Sequence, residues 1–151
     1  MIRKVKYKLT DLQNSTDENL VGLIYEKSVE LELGTFGESL EITDPAMAEF
    51  QAMWVLEGDV QNGGFDQFLH NYGLEYAQIA LAGFNRIDAN DFVNVIEKTI
   101  EVFKNQESEF NNKRNPKFND LDDEFYDIEG LEKLQVDYIR KNYEKFIVEQ
   151  E

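Results

Sequence analysis

Residues 61–73 read Gln-Asn-Gly-Gly-Phe-Asp-Gln-Phe-Leu-His-Asn-Tyr-Gly, and this stretch decides where the helices of the chain begin and end. Four of its apolar residues follow the i, i+3, i+4, i+7 spacing of one helix face: Phe65, Phe68, Leu69 and Tyr72. Two adjacent glycines interrupt the helix that precedes this face, and Gly73 stops the segment. The stretch therefore predicts a short amphipathic helix between two glycine breaks.

The sequence before this stretch contains the start signals of two further helices. Thr16 or Asp17 is a suitable cap for a helix that extends to about Leu33. Asp44-Pro45 opens the second helix, because proline suits the first helical position. Its apolar face is predicted to consist of Met47, Phe50, Met53 and Trp54.

The sequence after the stretch also follows helical periodicity. A helix resumes at Tyr76, and Asp88 is the predicted cap of the next one. Residues 105–119 are polar and are predicted to form a loop, which is followed by one or two helical turns near residues 121–128. Apolar residues from 131 to 147 predict a final helix.

These patterns together predict an all-α fold of six to seven helices in a single compact domain. A chain of 151 residues has the length of one domain. Its helical core is predicted over residues 16–148. Residues 1–12 are predicted to form a short, basic, extended arm, because Val5, Tyr7 and Leu9 alternate with lysines.

The composition excludes several classes of function. The chain has no cysteine and one histidine, which excludes thiolate metal sites and argues against a multi-histidine site. Its net charge of −16 disfavours direct binding to nucleic acid or anionic lipid and favours a basic protein partner. No stretch approaches the length of a membrane span, and no targeting segment is evident, so a cytoplasmic location is expected.

Three motifs are candidates for a catalytic, metal or phosphate site. Asp66 and His70 are four residues apart and would share a helix face, but no third metal ligand accompanies them. A calcium-binding loop that begins at Asp120 would need Gly at its sixth position and Glu at its twelfth, but the sequence has Phe125 and Leu131 there. Asn62-Gly63-Gly64 lacks the lysine of a phosphate loop. We therefore expect no enzyme activity, no catalytic residue, no metal and no cofactor.

Glu57 is the least expected carboxylate, because helical periodicity places it on the apolar side of its helix. A buried carboxylate must be paired or hydrogen-bonded. The nearest free donors are the backbone amides that open the next helix, at Gly63, Gly64 and Phe65. We predict that Glu57 is buried and braces this junction, where Asn62 caps the following helix; a general base is the functional alternative.

A larger set of residues resembles the core motif of a bacterial family of DNA-mimic proteins, formerly catalogued as a domain of unknown function. The motif consists of Trp54, Glu57, Asn62, Gly63, Gly64, Phe65, Asp66, Gln67, Phe68 and Asn71. The run from Leu121 to Tyr126 and the spacing Tyr138-Ile139 to Asn142 also resemble it, so the similarity covers about residues 20–145. The resemblance implies an all-helical acidic protein whose carboxylates replace DNA phosphates on a basic partner, such as a helix-turn-helix regulator.

The distribution of acid supports this expectation. Residues 11–60 hold twelve acidic residues and one basic residue, and a second cluster begins at Asp120. The expected partner-binding residues are Glu18, Glu26, Glu30, Glu32, Glu38, Glu41, Asp44, Asp120, Asp122 and Asp123. The expected structural residues belong to the motif given above, which we call the Asn-Gly-Gly-Phe motif: Trp54, Glu57, Asn62, Gly63, Gly64, Phe65, Gln67 and Asn71. The protein itself is expected to be a monomer or homodimer.

Two alternatives remain at this point. The first alternative to DNA mimicry is an enzyme or small-ligand protein with a site near Glu57, Asp66 and His70. The second is a structural or stress-related acidic protein without a dedicated partner. The DNA-mimic hypothesis is favoured because the sequence contains a one-sided arrangement of charge but no complete catalytic set.

Overall fold

The computed structural model describes residues 8–32 and 44–147, and within these residues the chain forms helices and turns with no strand. The α-helices are α1 (Leu9–Asn14), α2 (Asp17–Glu32), α3 (Pro45–Arg86), α4 (Asn90–Asn105), α5 (Phe118–Asp127) and α6 (Leu131–Lys141). Short 3-10 helices lie at Ser108–Asn111 and Tyr143–Lys145. The predicted all-α fold is confirmed.

Helix α3 is a run of three helical segments separated by two glycines. Gly64 has φ 83° and ψ 178°, and Gly73 has φ 85° and ψ 177°. Only glycine adopts this region of backbone space without strain. The two predicted breaks therefore occur at these glycines, and residues 65–72 form the short segment between them. The start of α3 at Pro45 also agrees with the prediction.

The chain divides into two compact units, which are described separately. The terminal unit comprises residues 1–51 and 130–151, and the central unit comprises residues 52–129. The prediction of one domain over residues 1–151 stays a prediction.

The core of the terminal unit is built on α2 and α6, which pack against each other. Phe50, Tyr138 and Phe146 form an aromatic cluster, with ring centroids 4.9–6.1 Å apart. Arg140 of α6 donates hydrogen bonds to the Ser15 carbonyl at 2.8 Å and to the Asp17 carboxylate. These bonds tie the start of α2 to α6.

The core of the central unit is a row of phenylalanines that connects its helices. Phe84 stacks on Phe92 at 5.1 Å, and Phe92 meets the edge of Phe125 at 5.4 Å. Phe125 in turn contacts Phe65, also at 5.4 Å. Offset and edge-to-face pairs of this kind stabilise a core beyond the area that they bury. They hold α4 and α5 against the segment that follows Gly64.

The structure corrects three local predictions. Leu9 belongs to helix α1 rather than to an extended arm, because the Asp11 carboxylate accepts the Lys8 amide at 2.7 Å and closes the first turn; Val5 and Tyr7 lie outside the described residues. Asp88 does not cap α4, since it occupies a left-handed turn with φ 56°. The last α-helix ends at Lys141 and not near residue 147.

Candidate partner-binding surface and the glycine junction

The Asn-Gly-Gly-Phe motif lies at the first break of α3, where one buried carboxylate completes the junction. Asp122 of α5 accepts the Phe65 amide at 2.8 Å and an Arg114 N–H at 2.9 Å. Arg114 also donates to the Gly63 carbonyl at 3.2 Å. The Asp122 side chain is 6% exposed. Burial raises its pKa above the ordinary range, although the Phe65 amide and Arg114 act in the opposite direction.

Glycine is required at position 64 for a second reason besides its backbone angles. A Cβ atom on Gly64 would collide with the Asp122 carboxylate. The absent side chain therefore lets Asp122 approach the first free amide of the following helical segment. This is the anion-favouring position of a helix, where unpaired N–H groups point outward.

Other polar residues of the motif bind the backbone or side chains around the same break. Gln67 donates to the Asp59 carboxylate at 2.8 Å, and Asn71 donates to its second oxygen at 3.2 Å. Both bonds reach back across Gly64 to the preceding helical segment. Asp66 accepts the amide of Asn115 at 3.1 Å. The motif therefore braces the junction and the loop that precedes α5.

Two parts of the expectation for Glu57 were wrong, namely its burial and its contact with the Phe65 amide. Glu57 is half-buried rather than buried, and Asp122 accepts the Phe65 amide that Glu57 was expected to accept. Asn62 is exposed and lies inside the helix before the break at Gly64, so it does not begin the next segment. Trp54 is 42% exposed and does not belong to the buried face of α3.

Asp122 was misassigned to the partner-binding surface, although the sequence contained a sign of its burial. It stands with Phe118, Leu121 and Phe125 at i, i+3, i+4 and i+7, and all four residues are buried. Arg114 and Asn115 were missed altogether. Asn115 is completely buried, and its side chain donates to Gln106 and accepts the Lys117 amide. An arginine and an asparagine in a polar loop carry no periodic signal.

The remaining acidic residues fall into three groups. Glu18, Glu26, Asp120 and Asp123 are exposed, and Glu30 is half-buried and forms a 3.7 Å ion pair with Lys27. Asp44 caps the start of α3 by accepting the Ala46 amide, and it pairs with Lys145 at 3.4 Å. Glu38, Glu41 and the side chain of Glu32 lie outside the described part of the chain.

The face of α2 that carries Glu18, Glu26 and Glu30 is the acidic face. At about 1.5 Å of rise per residue, Glu26 and Glu30 are about 6 Å apart along the helix axis, and Glu18 is about 12 Å from Glu26. The opposite side of α2 is buried through Leu20, Ile24 and Leu31. Because burial fixes the rotation of the helix, the acidic face is held toward solvent.

Asp66 and His70 line one cavity of about 390 Å³ in the central unit, and Glu57 is not among its lining residues. The alternative site near Glu57, Asp66 and His70 is therefore brought together only in part. Among the described residues, no group of three acidic or histidine side chains is arranged to hold a metal ion. No described helix has the length and apolar character needed to cross a membrane.

Comparison with known proteins identifies the family of the chain. The family model described as DMP19-like protein matches residues 41–142, which is more than half of the chain. The glycine junction, α3, α4, α5 and α6 fall inside these residues, whereas α1 and α2 precede them. No curated protein and no solved structure gives a significant match.

Proposed function

The chain belongs to the DMP19-like protein family, a family of DNA mimics, and we propose from this that it imitates DNA toward a basic partner. The partner is a DNA-binding protein, for example a helix-turn-helix regulator. The protein occupies the partner's DNA-binding face and blocks access to DNA. It acts by binding and not by catalysis.

The acidic face of α2 is the observation that carries this proposal. Helix α2 contains five acidic residues and one lysine over 16 residues, a length of about 24 Å. Glu18 and Glu26 are exposed, and Glu30 is partly exposed, on a side whose opposite is buried. A partner that meets phosphates with Lys and Arg would find carboxylates there, and charge complementarity favours both the encounter and its orientation.

The charge density of α2 sets the expected strength of the imitation. Its net charge of four negatives over about 24 Å is roughly one charge per 6 Å, whereas duplex DNA carries about one per 1.7 Å. The imitation is therefore partial. Binding should weaken between 50 and 200 mM salt, but with a gentler slope than the same partner shows for DNA.

Capture from a nuclease-treated lysate of the source organism tests the proposal. The protein is immobilised, and the lysate is loaded at about 50 mM salt. Bound proteins are then eluted with a rising salt gradient, because added salt screens the attraction between exposed charges. We expect a DNA-binding protein in the eluate, and we expect a Glu26→Lys/Glu30→Lys column to lose it.

The matched control is Glu97→Lys/Glu101→Lys. These two exposed residues of α4 have the same i, i+4 spacing, and the change in net charge is the same. A column of this control should retain the partner. Equal loss on both variant columns would mean that net charge, and not the acidic face, causes retention. An empty eluate from the unaltered protein would favour an acidic protein without a dedicated partner.

A further inference from the structure

The cavity in the central unit is lined by four apolar side chains, which we call its floor, and by polar side chains, which we call its rim. Its floor is formed by four side chains, of which Leu69 and Phe118 are buried and Phe103 and Phe110 are half-buried. A volume of about 390 Å³ is within the roughly 300–1,000 Å³ range of small-molecule sites. Three phenylalanine rings in one floor favour a flat, apolar group.

The rim carries more positive than negative charge, although the protein as a whole carries −16. Lys113, Arg114, Asp66 and His70 all line the cavity. The lining therefore contains two permanent cations and one carboxylate. That carboxylate, Asp66, already accepts the Asn115 amide at 3.1 Å. Both cations also pair with carboxylates that do not line the cavity, Arg114 with Asp122 and Lys113 with Glu109, so an anionic ligand must replace one of these partners.

Lys113 and Arg114 differ in how available they are. Arg114 already donates to Gly63, Asn119 and Asp122. The Lys113 ammonium lies 5.7 Å from the centre of the Phe110 ring and forms a 3.1 Å ion pair with Glu109. Both partners of that pair are more than half exposed. Exposed pairs of this kind contribute little free energy, so an incoming carboxylate can exchange with Glu109.

His70 supplies a second donor on the same rim. Its imidazole is exposed, and among the described residues it forms no hydrogen bond or ion pair. A neutral or protonated imidazole can donate an N–H to an anion. We infer that this cavity binds a small aromatic carboxylate, with its ring on the phenylalanine floor and its carboxylate between Lys113 and His70. This site does not depend on DNA mimicry.

Because His70 is the only histidine, its ring protons are unique reporters in a proton NMR spectrum of the full-length protein. The probe is 3-phenylpropionate. We expect a saturable shift of the His70 signal, with a dissociation constant on the order of 1 mM or tighter. Propionate lacks the ring, and phenethylamine replaces the carboxylate by an ammonium. Neither should produce a saturable shift in the same concentration range.

Lys113→Glu tests the anion contact, with Lys104→Glu as its matched control. Both lysines are exposed, each substitution lowers the net charge by two units, and Lys104 does not line the cavity. We expect Lys113→Glu to weaken 3-phenylpropionate binding about tenfold or more, and Lys104→Glu to change it less than twofold. No saturable shift up to about 20 mM would overturn the inference. So would equal binding of phenethylamine, or equal loss in both variants.

Discussion

A methyl group added at Gly64 should destabilise the protein more than the same group added at Gly73. The two glycines have almost identical backbone angles, with φ of 83° and 85°. They differ in their surroundings, since a Cβ on Gly64 would collide with the Asp122 carboxylate, whereas a Cβ on Gly73 has no atom within 4 Å. Gly73→Ala thus measures backbone strain alone, and Gly64→Ala measures strain together with displacement of Asp122.

The expected magnitudes follow from these contacts. Strain in this backbone region costs about 1–3 kcal/mol, so Gly73→Ala should lower the free energy of unfolding by about that amount. Displacing Asp122 removes its 2.8 Å bond from the Phe65 amide and disturbs its pair with Arg114. A buried group that loses its partner costs about 1–3 kcal/mol more. Gly64→Ala should therefore cost about 2–6 kcal/mol in total.

Urea unfolding followed by circular dichroism at equilibrium would measure both values. Repeating Gly64→Ala in an Asp122→Ala background completes a double-mutant cycle. The excess cost of Gly64→Ala over Gly73→Ala should disappear there, because the shortened side chain no longer meets the added methyl group. The explanation of the junction is refuted if the two glycine substitutions cost the same in the unaltered protein, or if the excess persists without the Asp122 carboxylate.

Three further predictions concern stability. Gly58→Ala should raise the free energy of unfolding by about 0.5–1 kcal/mol in the same urea assay, because Gly58 is exposed inside a helical segment and has no atom near its Cβ position. Tyr126→Phe should lower the melting temperature and reduce the free energy of unfolding by about 0.5–1.5 kcal/mol, because it removes the 2.7 Å hydrogen bond to the Val60 carbonyl. An unchanged melting temperature would contradict this contribution. Burial raises the pKa of Asp122, so the folded state holds its proton more tightly than the unfolded chain. Its contribution to stability should therefore grow as pH falls through the raised pKa toward the ordinary one, and Asp122→Asn should remove that part of the pH dependence of unfolding.

Local signals in the sequence predicted the features that depend on backbone preference. Pro45 begins α3, and the breaks lie at Gly64 and Gly73, because these residue types restrict or extend the backbone angles on their own. The amphipathic segment between the glycines was likewise predictable, since Phe65 and Phe68 are buried at helical spacing.

The pairing across the junction was not predictable in the same way. Asp122 lies 57 residues from the amide that it accepts, and Arg114 lies 51 residues from Gly63. Neither distance is encoded in a local pattern. We expected Glu57 to brace the junction because helical periodicity placed it on the apolar side of its helix, whereas tertiary packing brings the distant Asp122 to the Phe65 amide. The apolar neighbours of Asp122 on α5 were the one available sign of its burial.

The acidic face of α2 lies outside the residues that the family model matches, so the family likeness does not by itself extend to it. Its exposure follows from the burial of Leu20, Ile24 and Leu31 on the other side of the helix. Reversing Glu26 and Glu30 should therefore leave the fold intact, because Glu26 is exposed and the half-buried Glu30 forms one long ion pair, at 3.7 Å, with Lys27. The same reversal should slow association with the partner about tenfold, measured by stopped-flow at low salt.

Competition between this protein and duplex DNA for the captured partner tests DNA mimicry most directly. A fluorescently labelled duplex is bound to the partner, the protein is added at constant salt, and anisotropy reports the duplex that remains bound. We predict complete release of the duplex by the unaltered protein and by Glu97→Lys/Glu101→Lys, and little release by Glu26→Lys/Glu30→Lys. A complex that contains partner, duplex and this protein together would contradict the account.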